Sequence, residues 1–211
     1  MQIISHRGYW LDIAEKNSET AFHRSFSLGF GTETDIRDLG GELMISHDPP
    51  LPGAFTLEHF LELHRSYAGQ LPLALNIKAD GLQERLKKTL ERFAITDYFA
   101  FDMSIPDLLG YQRAGIPFFT RMSEYEPEPV LLEAAGGVWL DGFHGEWYGD
   151  GVLTDLLGNG KRVCLVSPEL HGRSHLELWQ RLAALDPARL SGLMLCTDLP
   201  EAARDHFTVT P

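Results

Sequence analysis

Residues 73–120 read LALNIKADGLQERLKKTLERFAITDYFAFDMSIPDLLGYQRAGIPFFT, and the rhythm of this stretch decides the fold class. Residues 73–77 and 98–101 are short apolar runs that end at a charged residue, Lys78 and Asp102. Between them, 82–93 carries Leu82, Leu86, Leu90 and Phe93 at helical spacing among Lys, Arg and Glu. The pattern predicts strand, amphipathic helix, strand. Residues 106–114 then predict a second helix, stopped by Gly115, and 117–120 a third strand.

Working outward, the same alternation fills the chain. Strands are predicted at 2–5, 32–37, 137–140, 162–166 and 192–196. Helices are predicted at 17–28, 56–67, 128–135, 152–157, 175–185 and 200–205. One further extended piece, 42–46, follows the Gly40-Gly41 turn. Eight strand-then-helix units imply a parallel sheet, and eight is the number that closes into a (β/α)8 TIM barrel. A doubly wound open sheet competes. No glycine-rich nucleotide loop follows any strand, which weakens that reading. No linker breaks the chain, so 1–211 is expected to be a single α/β domain.

Composition narrows the chemistry. The net charge of −12, from 18 Lys+Arg and 30 Asp+Glu, repels nucleic acid and anionic membranes. An anionic substrate would need a local cation or clustered basic residues. Cys164 and Cys196 form neither a metal-ligand spacing nor a disulfide framework. With no signal-peptide pattern at the start and no apolar run of spanning length, a cytoplasmic protein without stable membrane association is expected.

In a barrel, chemistry sits at the carboxyl ends of the strands. Three ends stand out: Ser5-His6-Arg7-Gly8, Thr32-Glu33-Thr34-Asp35, and Ile45-Ser46-His47-Asp48-Pro49. Glu33 and Asp35 are two apart on a strand and share a face. Such a pair repels itself and calls for a cation or a shared proton; hard oxygen ligands suit Mg²⁺ or Ca²⁺. A solvated strand face or an ion-pair cluster is the plainer reading. His6 and His47 can act as general base and general acid, or simply cap and pack. Arg7 offers forked donors to a phosphate, or forms an ion pair with Glu19 or Asp48.

The combination is more specific than its parts. His6-Arg7-Gly8, Asn17-Ser18-Glu19-Thr20-Ala21-Phe22, Glu33-Thr34-Asp35 and His47-Asp48-Pro49 resemble, in order and spacing, the glycerophosphodiester phosphodiesterase family. Thr56-Leu57-Glu58 resembles its Thr-Leu-Glu helix start, and Thr197-Asp198-Leu199-Pro200 its Thr-Asp-x-Pro close. The resemblance implies a phospholipase-C-like TIM barrel that hydrolyses small glycerophosphodiesters to an alcohol and glycerol 3-phosphate, an activity of lipid metabolism. It implies His6 and His47 as the acid/base pair, Glu33 and Asp35 as metal ligands, and Arg7 as a phosphate contact. Glu19 is expected to brace the site.

Two departures bear on this. The family's Glu-x-Lys at the third strand end is Asn76-Ile77-Lys78 here. Lys78 suits a phosphate contact, and Asn76 offers an amide oxygen as third ligand. The divalent cation is therefore expected to bind more weakly, to differ in kind, or to be dispensable. The connector 49–53 is short where the family carries a longer insertion, which implies a more open pocket. Arg121 is a further phosphate-binding candidate after the 117–120 strand. Glu169, His171, Asp141 and Trp147 follow later strands, and Glu169 is the candidate to replace the carboxylate missing at position 76. Competing functions are a barrel that binds a phosphorylated ligand without turnover, a metal-independent phospholipase C or a lysophospholipase D, and, more distantly, a barrel isomerase or aldolase.

Overall fold

The computed structural model describes residues 1–67, 71–186 and 191–208. The chain forms two units, Ser5–Phe118 and Met1–Ile4 with Phe119–Pro211.

In the Ser5–Phe118 unit, β2 (Gly31–Leu39), β4 (Leu73–Ile77) and β5 (Tyr98–Phe101) run parallel, and β3 (Glu42–Ile45) folds back antiparallel on β2. The hairpin turns at Gly40 and Gly41, both at positive φ. Its helices are α1 (Glu19–Ser27), α2 (Leu57–Ser66), α3 (Gln83–Arg92) and α4 (Ile105–Ala114). Side-chain oxygens start three of them: Ser18, Thr56 and Ser104 each accept a backbone N–H three residues on, satisfying a donor that the first turn leaves open. Pro106 and Gly115, at φ +66, mark the two ends of α4. Helix faces bury Phe22, Phe26 and Phe60, whose rings lie 4.6 and 5.6 Å from one another along the Phe22–Phe60 and Phe26–Phe60 pairs. Burying each ring is worth roughly 2–3 kcal/mol.

In the other unit, β6 (Phe119–Met122), β7 (Gly137–Leu140), β8 (Arg162–Val166) and β9 (Leu193–Thr197) are parallel neighbours. They pack with α5 (Asp150–Gly158), α6 (Leu176–Ala183) and α7 (Pro200–Thr208) around Leu140, Leu165, Leu178, Trp179 and Leu195. Strands buried on both faces read as near-continuous apolar runs: β7 is one, and β4 and β9 are interrupted only by Asn76 and by the terminal Thr197. Cys164 and Cys196 are buried on β8 and β9.

The strand order along the sheet is β5-β4-β2-β1-β9-β8-β7-β6, with β1 at Gln2–His6 and β3 attached to β2. This is the order of a (β/α)8 barrel, the fold class read from the sequence. Among the described residues no helix is long and apolar enough to cross a membrane.

Two local expectations are corrected. Residues 128–135 form turns, not a helix: Leu131 sits at φ +56, and Ala134 and Ala135 both donate to its carbonyl. A left-handed residue ends any α-helix. The strand expected at 117–120 lies two residues later, which places Arg121 inside β6 rather than beyond it.

Candidate active site

The Ser5–Phe118 unit brings together His6 and Arg7 at the end of β1, Asn17 before α1, Glu33 and Asp35 within β2, and Asn76, Lys78 and Asp102 near the ends of β4 and β5. Arg7 leaves β1 in the left-handed conformation, φ +57, and Gly8 follows at φ +80. A Cβ at position 8 would stand 2.9 Å from Ala21 Cβ and 3.0 Å from Phe22 Cδ1, on the first turn of α1. The glycine of His-Arg-Gly is therefore required twice, for its φ and for the close approach of α1.

Asp35 is the hub. Arg7 Nε lies 2.9 Å from its Oδ2, off the line of an aligned hydrogen bond. Asn17 Nδ2 donates to the same oxygen at 2.8 Å. Lys78 Nζ is 3.7 Å from Oδ1 and donates to Asp102 Oδ2 at 3.0 Å. Glu33, on the same face of β2, accepts the Arg7 backbone N–H at 3.1 Å and has His6 Nε2 at 4.0 Å. Burial, and then the negative charge of Asp35, push the Glu33 carboxyl up to about 7. Arg7, Asn17 and Asp102 all hold positive φ, a strained backbone of the kind that collects at functional sites.

His47 follows β3 and is half-exposed. The residue before it is tied to β2, Ser46 N donating to the Asp35 carbonyl at 3.0 Å. Its Nδ1 lies 2.9 Å from Asp48 Oδ1, and its carbonyl accepts from Arg37 Nε. Trp10 Nε1 holds the His6 carbonyl at 3.2 Å.

The residues suit a hard cation on one observation. Asp35 and Asn76 are register partners across β2 and β4, and Asp35 Oδ1 and Asn76 Oδ1 are both buried without a hydrogen-bond partner. Oxygens left open in this way are costly unless something binds them, and with Glu33 they form an all-oxygen donor set. Among the described residues no trio of His, Cys, Asp and Glu is placed to hold a metal, so the Asn76 amide would be the third donor.

Other expectations land elsewhere. Glu19 does not brace the site: it is half-exposed on α1 and faces His23 at 3.8 Å and His59 at 3.4 Å. Asn17 does that work, through Asp35 and by accepting the Thr34 hydroxyl at 2.8 Å. Its N–H reaches the Arg7 carbonyl at 2.9 Å. Asn tolerates φ > 0 better than most residues, which suits the φ of +58 at this position. Asp102 was also missed as a site residue.

In the second unit, Arg121 is paired with Glu126. Glu169 accepts from Ser167, Thr197 and the Asp198 N–H, tying the ends of β8 and β9 together. Its carboxylate is thus committed to its own loops. Asp141 follows β7 and accepts from His171 Nε2 at 2.7 Å, while Trp147 Nε1 donates to the Asp141 carbonyl at 2.7 Å.

Solved structures match over nearly the whole length. A candidate glycerophosphodiester phosphodiesterase from Galdieria sulphuraria superposes with a TM-score of 0.76 at 17% identity, covering 98% of this chain and 97% of that one. A glycerophosphodiester phosphodiesterase from Agrobacterium tumefaciens gives 0.73 at 17%, covering 97% and 99%. The chain has the fold of these phosphodiesterases. A phosphodiesterase from Oleispira antarctica, solved with its product sn-glycerol 3-phosphate, gives 0.71 at 17%, covering 99% and 97%. No family model and no curated protein matches the sequence. Fold alone does not assign chemistry, so function rests on the site.

Proposed function

We propose that the chain is a phosphodiesterase that cleaves a small glycerophosphodiester into an alcohol and glycerol 3-phosphate. The observation that carries this reading is the Asp35 hub, which faces the two cations Arg7 and Lys78 at 2.9 and 3.7 Å on the strand face it shares with Glu33. The fold shared with phosphodiesterases, one of them solved with glycerol 3-phosphate, supports it.

Arg7 and Lys78 hold the non-bridging phosphate oxygens and favour the charge that builds in the transition state. One histidine of the His6/His47 pair takes the proton of the attacking hydroxyl as its oxygen bonds to phosphorus. The other gives a proton to the departing oxygen as the P–O bond breaks. If the attacker is the substrate's own neighbouring hydroxyl, the first product is a cyclic phosphate, which water opens with the proton roles reversed. Glu33, Asp35 and Asn76 would hold Mg²⁺ or Ca²⁺, which when bound neutralises and polarises the phosphodiester. Asp35 also fixes Arg7 and Lys78, so it orders the phosphate contacts as well.

The test is hydrolysis of glycerophosphocholine, glycerophosphoethanolamine and lysophospholipids, with Mg²⁺, Ca²⁺ or Mn²⁺ and with chelator, beside His6→Ala and His47→Ala. The expected result is turnover of a glycerophosphodiester that falls by roughly 10²–10⁴ in either variant. A folded variant of either that retains full activity, or no turnover of any member of the panel, overturns the proposal.

A further inference from the structure

Asp102 stands at the end of β5, and its place is dictated by register. Phe101 pairs with Asn76, which sets the next residue beside the Ile77-Lys78 end of β4. The Asp102 backbone is left-handed, φ +71, a conformation that costs an L-residue about 1 kcal/mol or more. Its carboxylate takes the Lys78 ammonium at 3.0 Å, while Lys78 is already 3.7 Å from Asp35. Arg7 also faces Asp35. Lys78 is thus hydrogen-bonded to Asp102 and lies at longer range from Asp35, so Asp102 sets a second negative charge directly against the cation proposed to hold the phosphate.

The pair is largely shielded, Lys78 being 18% and Asp102 23% exposed, so a charge here acts through less water than at an open surface. A phosphodiester carries one negative charge. A phosphomonoester, whose second proton leaves near pH 6, carries nearly two at neutral pH. Repulsion from a fixed carboxylate grows in proportion to ligand charge. The same residue therefore opposes the dianion about twice as strongly as the monoanion.

We infer that Asp102 is a specificity-determining residue that tunes this site to bind a phosphate monoanion in preference to a dianion, favouring the diester substrate and the release of the monoester product. The inference rests on the phosphodiesterase reading of the site and adds to it a preference of charge class. It is distinct from a structural role for the Lys78–Asp102 pair, which would affect both ligands alike.

The experiment is calorimetric binding of dimethyl phosphate and methyl phosphate at pH 8 to the wild type and to Asp102→Asn, at one fixed Mg²⁺ concentration. Asn keeps the shape and tolerates the left-handed backbone, so charge is the main change. The expected result is an affinity gain on the order of tenfold for the methyl phosphate dianion and about threefold for the dimethyl phosphate monoanion. Equal gains, or none, overturn the role of Asp102 and leave the phosphodiesterase reading intact. Failure of both probes to bind either protein overturns the phosphate site itself.

Discussion

Asn17 Nδ2 donates to Asp35 Oδ2 at 2.8 Å while Asn17 Oδ1 accepts the Thr34 hydroxyl at 2.8 Å. One side chain from the β1–α1 loop thus fixes two successive residues of β2. Asn17→Ala is expected to destabilise the protein by about 3 kcal/mol, because Asp35 and Thr34 lose partners in a buried place and Ala tolerates φ +58 poorly. Asn17→Gly, which accepts the backbone, should cost less. Urea unfolding of the three proteins measures this, and equal midpoints for wild type and Asn17→Ala would contradict it.

Glu33 sets a pH dependence of stability. Its folded pKa, about 7, lies above the ordinary 4.5, so between those values the folded chain binds a proton that the unfolded chain has lost. The stabilising effect is complete below about 4.5 and is lost as pH rises through about 7. The loss is on the order of 3 kcal/mol. In chelator, wild type should weaken between pH 5 and pH 8 relative to Glu33→Gln, whose other groups titrate alike. Parallel stability curves would show that Glu33 is not held protonated.

Gly8→Ala should destabilise by about 3 kcal/mol or more. The new Cβ meets Ala21 and Phe22 at 2.9–3.0 Å, and the position sits at φ +80. Chemical denaturation reads the effect. A shift under about 0.5 kcal/mol would mean that α1 moves aside freely.

His171→Ala leaves the Asp141 carboxylate, 9% exposed, without its 2.7 Å partner. Burial already raises the Asp141 pKa, and the His171 contact opposes that rise. The substitution is expected to cost about 3 kcal/mol at pH 8, and less in acid, where the isolated carboxyl takes up a proton. Thermal unfolding across pH tests this, and a loss independent of pH would assign the effect to packing instead.

Mg²⁺ or Ca²⁺ at millimolar concentration should raise the Tm of the wild type by mass action. Asp35→Asn should abolish the rise, since Asp35 Oδ1 is one of the open oxygens. An unchanged wild-type Tm with either ion, together with no heat of binding, would remove the cation from the Glu33–Asp35–Asn76 set.

The fold was legible because it is written in local periodicity. Strands such as 73–77 and 162–166 were found to the residue, as short, mainly apolar stretches. The helix expected at 128–135 failed because helical spacing says nothing of the left-handed turn at Leu131. In the site, strand-end position pointed to His6, Arg7, Glu33, Asp35 and His47, and the family resemblance to Lys78. The exchange of roles between Glu19 and Asn17 could not be read. Glu19 begins α1, and whether its side chain turns toward β2 or toward His23 and His59 depends on how the helix packs.

The sequence by itself determined the strand–helix alternation, the face shared by Glu33 and Asp35, and the glycines at positive φ, because these follow from side-chain periodicity and backbone sterics within a few residues. Tertiary structure alone decided which charges meet. Asp35 faces Asn76 only through the β2–β4 register, Lys78 reaches Asp102 only because β5 lies next to β4, and Asn17 reaches Asp35 across a loop. Coulomb and hydrogen-bond energies depend on separations of a few ångströms, and strand pairing, not sequence distance, sets those separations.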